Sequence, residues 1–439
     1  MKSLFKIVLA SSLLVTLLAS AVVRSEAAEA TAGITFTINT NTDLSDASPG
    51  NGVCEATAGQ GNCTLRAASM EANANSNPNI TIMIPAGVYR ITIPPNNPED
   101  DSHGSIKIHR SLTIIGAGSG QTTIDGDGLA NHDRTLEVLT NTNTSIITIQ
   151  GVTIQEGHVT SAQPTGAKGG GIYAKLGNDT SASGSLTLQD VIFKLNSAQG
   201  DDAAGGGLYL EGWNQSSFSL SNVTISNNTV DSDHFAGAGL QFESGDYNLG
   251  KPYSSLVIQN SVIANNTTVP LTNGNPWGGG IDLRHGKLTL ISSTLANNLA
   301  GNGGAISVDG ANSVFDLINS TLSGNQANLN GGGIYAFDGV TVLSNMTIMS
   351  NNSDDDLNGS GQGGGIYQTG SANVTLANSL VAYNHETTFD PLQQAYERSH
   401  GDLRGIYTSE GFLTILETRS VKNCTINKNI PIGTMNLEG

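Results

Sequence analysis

Six side chains in the middle of the chain have types that chemistry can use. Glu211, Glu243 and Asp282 carry carboxylates, Lys175 and Arg284 are cations, and His285 titrates near neutrality. All follow short Gly-rich phrases at similar offsets. If these positions share one face, the acids can hold Ca²⁺ through oxygen ligands. His285 or Lys175 then takes the proton beside a uronate carboxylate, and Arg284 stabilises the enolate. The same residues have a plainer account. Arg284 between Glu243 and Asp309 on adjacent strands is a cross-strand ion ladder, worth about 0.2 to 1 kcal/mol. Tyr173, Tyr209, Tyr335 and Tyr367 sit in the same phrases; they suit stacking on sugar rings, and they are also good strand formers.

The elements that would position them are repeats. A Gly-rich phrase recurs as Gly169-Gly170-Gly171-Ile172-Tyr173, Gly205-Gly206-Gly207-Leu208-Tyr209, Gly237-Ala238-Gly239-Leu240, Gly278-Gly279-Gly280-Ile281, Gly303-Gly304-Ala305-Ile306, Gly331-Gly332-Gly333-Ile334-Tyr335 and Gly363-Gly364-Gly365-Ile366-Tyr367. After each comes an alternating apolar segment that ends in Asn: Asn196, Asn228, Asn266, Asn298, Asn325, Asn351 and Asn384. A second polar residue precedes each end, from Asp190 and Asn222 through to Asn378. Strict alternation predicts strands, and steps of 26 to 38 residues without helical periodicity predict one solenoid coil per repeat. Three short strands fit each coil. The polar pair belongs at corners, where Asn tolerates left-handed backbone, and stacked asparagines are expected to form a hydrogen-bonded ladder. The expected architecture is an all-β, right-handed parallel β-helix over residues 80–384, about ten coils and ~50 Å long at ~4.8 Å per coil.

A solenoid end exposes strand edges and needs a cap. Leu65 to Ala74 reads as an amphipathic helix, with Leu65, Ala68, Ser69 and Ala72 on its buried face and Arg66, Glu71 and Asn73 elsewhere. It belongs to an N-terminal cap over 22–79; residues 385–439 are expected to form the far cap and a tail.

Residues 1–21 have the form of a secretory signal peptide: Lys2 and Lys6, an apolar run from Ile7 to Leu18, then Ala19-Ser20-Ala21. No second apolar span follows, so the mature chain is expected to be exported, without a transmembrane segment. Cys54 and Cys63 bracket a Gly-rich loop and in that compartment predict a disulfide; Cys424 is left over. Net charge of −18 disfavours nucleic acid as a partner, and 12 prolines with 54 unperiodic glycines exclude collagen.

Two resemblances follow. Gly52-Val53-Cys54, Gly61-Asn62-Cys63-Thr64-Leu65-Arg66-Ala67-Ala68 and Glu71-Ala72-Asn73-Ala74 resemble the CSLREA N-terminal domain of exported bacterial proteins, here reading Cys-Thr-Leu-Arg-Ala-Ala. The Gly phrase followed by a strand ending in Asn, with Phe193-Lys194-Leu195-Asn196, is similar to the repeat of polymorphic outer-membrane proteins. Together they imply an exported or surface-displayed parallel β-helix and no particular reaction. At the far end, Leu403 stands where a Cys follows the Asp in CSLREA proteins, which leaves Cys424 without its counterpart.

Three functions fit. The first is an adhesive or glycan-contacting surface protein, with a polysaccharide or cell-surface glycan as partner and no required cofactor. The second is a polysaccharide lyase using the charged stripe and Ca²⁺. The third is a structural rod. Lyases tend to wall a groove with long loops, and the insertions near 160–168, 195–204, 229–236, 243–254, 267–277 and 353–362 are modest. Asp201-Asp202 and Asp354-Asp355-Asp356 read as solvated loop charge or weak Ca²⁺ ligands.

Overall fold

The structure, a computed structural model, describes residues 32–428 except 129–131, 141–143, 162–165, 235, 249–252, 273, 355–360, 391–394, 401–402 and 417–420. Beyond 386 it describes backbone alone, apart from Leu403. The expected signal sequence, the tail beyond 428, Asp355, Asp356 and the Cys424 side chain lie outside the described residues.

Strands stack coil on coil in a 28-stranded and a 9-stranded sheet. The register follows the sequence repeat. Ile149, Leu188, Leu220, Ile258, Leu290 and Leu317 oppose one another on successive coils, and all are fully buried. Ala174, Leu210, Phe242, Leu283 and Val308 make a second inward row. The chain is therefore a parallel β-helix whose dry interior is continuous. Each such Leu or Ile contributes about 1.5 to 3 kcal/mol by leaving water.

A short strand follows each ladder asparagine; Ser197–Gln199 and Thr229–Asp231 are the third strands of their coils, as expected. From Thr267–Val269 to Asn352–Ser353 it is a fourth, because the long strand before it is divided in two at its corner. These strands are too short to show alternation, so the sequence hides them. Parallel pairing also runs past both expected limits. Ile34–Thr37 pairs with Ile80–Ile84, and Leu403–Leu416 pairs with Asn373–Ala382 and then with Val421–Lys428. Between them, His385–Asp390 and Ala395–His400 pair antiparallel.

The corners divide the two polar positions. Asp190, Asn222, Asn260, Ser292, Asn319, Asn345 and Asn378 take left-handed backbone, with φ from 48° to 55°. The ladder asparagines do not, which corrects the expectation for them. The preceding residue turns instead, for example Leu195 at 58° and Asn227 at 55°. This frees Asn196, Asn228, Asn266, Asn298, Asn325, Asn351 and Asn384 to point inward, buried to within 1 %. In the first six, the side-chain N–H donates to the next coil's Asn oxygen at 2.8 to 3.0 Å. Its second hydrogen reaches a carbonyl of the preceding coil, as in Asn266 to Ile225 at 3.0 Å. Gly171 lies against this ladder: a Cβ there would stand 2.5 Å from the Gly207 carbonyl oxygen and 3.1 Å from Asn196 Nδ2.

The helix spans Leu65–Ala74, with Thr64 capping it by accepting the Ala67 N–H at 3.0 Å. Arg66 and Glu71, expected away from the buried face, are buried to 1 % and 0 %. Arg66 forks onto Asp43 at 2.7 and 3.0 Å and donates to the Gly104 carbonyl at 2.7 Å. Glu71 accepts the Gly50 and Gly52 N–H groups at 2.5 and 2.7 Å. The residues before the helix wrap over it and supply partners for both charges. The Cys54–Cys63 disulfide is present, with Cα atoms 5.0 Å apart.

Candidate functional site

The strands after the Gly phrases place the chemical side chains in two outward rows. Tyr173, Tyr209, Gln241, Asp282, Ser307, Tyr335 and Tyr367 oppose one another in one, as expected. Lys175, Glu211, Glu243, Arg284 and Asp309 form the other. Lys107 and Glu137 extend the first row toward the N-terminus.

Exposure differs from the expectation. Tyr173, Tyr209 and Tyr335 retain 4, 2 and 7 % of their surface, and only Tyr367 is half-buried. Side chains distant in sequence cover them. The Arg134 guanidinium lies 5.3 Å from the Tyr173 ring centre, Lys168 Nζ 4.7 Å from that of Tyr209, and the Trp277 ring 4.9 Å from that of Tyr335. Burial holds the Tyr209 hydroxyl well above its usual range, with Glu243 beside it adding to the effect. That hydroxyl donates to Glu243 Oε2 at 2.8 Å.

The expected catalytic and metal residues are not brought together as one centre. Lys175 Nζ is held by Glu211 Oε1 at 2.7 Å. Glu211 also accepts from Trp213 Nε1 at 2.6 Å and Tyr173 at 3.3 Å. Burial raises the Glu211 carboxyl, but Lys175 and Trp213 outweigh it and the net shift is downward. Asp282 is fully buried; its Oδ1 accepts from Ser307. Burial pushes its carboxyl up to about 7, against Ser307, Arg284 and Gln241. Among the described residues no three His, Cys, Asp or Glu side chains converge as a metal cage. His285 turns a corner at φ 50°, and burial together with the Arg284 charge lowers its pKa.

What the structure adds is a cleft of about 640 Å³ beside the rows. Tyr209, Gln241, Glu243 and Arg284 line it from the strands. Gly166 to Lys168, Asp201, Asp202 and His234 line it from three successive insertions. The reason is register. His158–Thr160, Ser197–Gln199 and Thr229–Asp231 are stacked, so the segments leaving them emerge one above another. Insertions that are modest singly make a wall together. Lys168 and His234 thereby join the site beside Gln241, and their sequence signal is only their place shortly before a Gly phrase. His285 and Lys175 are not among the lining residues.

No family model matches this chain, and no curated protein matches it in sequence. Among solved structures it is similar to one described as the Agl-KA catalytic domain, with TM-score 0.41 and 14 % identity over 90 % of this chain and 70 % of that one. That distance transfers no chemistry, and the parallel β-helix stands on the coil-to-coil register alone.

Proposed function

We propose that this chain is a glycan-contacting protein that works outside the cell and holds a polysaccharide segment in the cleft beside Tyr209 and Arg284. The cleft carries the reading. Lys168 and Arg284 offer charged donors, Asp201, Asp202 and Glu243 offer acceptors, and Gln241 offers both. Such a mixture suits a ligand dense in hydroxyls. The Cys54–Cys63 bond and the expected signal peptide support an oxidising, exported setting.

The test is retention of the mature protein on immobilised acidic and neutral polysaccharides. Arg284→Ala is expected to weaken it about tenfold to a hundredfold, the worth of a charge-assisted hydrogen bond. Equal retention of parent and variant overturns the assignment. A lyase is the second reading, favoured by Arg284 and Glu243 meeting in the cleft. Lys175 is occupied by Glu211, and His285 lies off the lining, so binding is preferred. Release of unsaturated uronate that stops in Arg284→Ala would reverse that preference.

A further inference from the structure

Further along the same rows lies a cluster of rings that the cleft does not use. Tyr335 and Tyr367 stack on successive coils, centres 5.7 Å apart and planes 2° from parallel. Trp277 stands edge-on to Tyr335 at 4.9 Å and 5.9 Å from Phe337. Phe337 keeps 36 % of its surface, and Trp277 and Tyr367 are half-buried. Three neighbouring aromatic groups are thus partly in water on the outside of a coil stack. The rim beside them is polar, with the half-buried Tyr367 and Asp309 on adjoining strands.

We propose that Trp277, Phe337 and Tyr367 form a second subsite that takes the apolar face of a β-linked glucose-type pyranose, in a polysaccharide running along the coil axis. This rests on the glycan reading of the cleft. Three observations join the two. First, the subsite and the cleft share one row. From Tyr209 it steps through Gln241, Asp282, Ser307 and Tyr335 to Tyr367, about 24 Å at ~4.8 Å per coil. Second, one coil spacing is close to the length of one pyranose in an extended chain, so rings can repeat in step with coils. Third, a pyranose with equatorial hydroxyls has an apolar face and a polar edge. The rings match the face, and the Tyr367 hydroxyl and Asp309 match the edge. An oligosaccharide that covers the row from Tyr209 to Tyr367 therefore has five or six units, whereas a disaccharide spans about two coils.

The experiment is tryptophan emission of the mature protein titrated with cellohexaose and with cellobiose, alongside the retention assay. Cellohexaose is expected to shift the emission saturably, and Trp277→Phe to abolish that shift. Phe337→Ala, a change at an exposed side chain, should weaken cellohexaose about threefold to tenfold. Cellobiose should bind at least tenfold more weakly. Unchanged Trp277 emission with retention that depends on Arg284 overturns the subsite and leaves the cleft standing. An emission shift with retention indifferent to Arg284 keeps the subsite and removes the cleft. No shift and no retention overturn both. A shift that appears on concentrating the protein without sugar marks a contact between copies, and overturns the proposal.

Discussion

Asn228 donates its side-chain N–H to Asn266 Oδ1 at 2.9 Å, and the same oxygen accepts the Asn228 backbone N–H at 3.1 Å. One buried amide oxygen on each coil thus satisfies two donors on the coil before it. Removing it leaves both unpaired in a dry interior. Asn266→Ala should cost about 2 to 5 kcal/mol. Asn266→Asp should also destabilise, because it keeps the acceptor but brings a buried charge and loses the donor to Ile225 and Asn298. Urea midpoints of the two variants and the parent check this.

Asp282 gives a pH dependence of definite sign. Its folded pKa, about 7, lies above the ordinary value of 3.8 because the carboxyl is buried. Its contribution is complete below about 4 and is lost as pH rises through 7, since the folded state binds the proton more tightly than the unfolded one. Asp282→Asn should flatten the fall in stability between pH 5 and 8, measured as thermal midpoints across about that range. A parent whose midpoint rises over that window with the variant parallel to it would show that Asp282 is ionised when buried.

Arg66 anchors the cap. Arg66→Ala strands Asp43, which also accepts the Thr92 and Ile93 N–H groups at 2.7 and 2.9 Å. A loss of about 3 to 5 kcal/mol is expected, as for other broken buried pairs. Hydrogen exchange should localise the effect to the helix and the segment around Gly104.

Reducing Cys54–Cys63 opens a loop whose ends are nine residues apart. Loop-closure entropy puts the loss at about 2 to 3 kcal/mol. The urea midpoint should fall on adding reductant and stay unchanged in a Cys54→Ser/Cys63→Ser protein.

The coil register was legible because each Gly phrase and each ladder asparagine fixes the phase of its strand. Tyr173 therefore sits opposite Tyr209, and Glu243 opposite Arg284, where counting placed them. The helix was legible to the residue, since Thr64 and the spacing of Leu65, Ala68 and Ala72 are local signals. What counting could not reach was sideways cover. Lys168 precedes Tyr209 by a whole coil, and three Gly phrases begin between Trp277 and Tyr335, yet they pack together. The burial of Arg66 likewise depends on Asp43, which no helical pattern connects to it. A serine ladder was missed for a further reason. Ser261, Ser293 and Ser320 accept the backbone N–H of Val223, Ser261 and Ser293 on the preceding coil, each at 3.1 Å, but serine is common enough in this chain to hide a repeat.

Successive ladder asparagines are separated by as few as 26 and as many as 38 residues, yet their side chains meet at 2.8 to 3.0 Å throughout. Rise along the axis is thus independent of how much chain a coil contains. The surplus leaves at two places, before the Gly phrase and after the strand that follows it, and these flank the strands holding Tyr209 and Arg284. Insertions and deletions there can reshape what that row meets while every rung keeps its place. The ladder acts as a ruler, so the length of the connecting segments can change without altering the spacing of the coils.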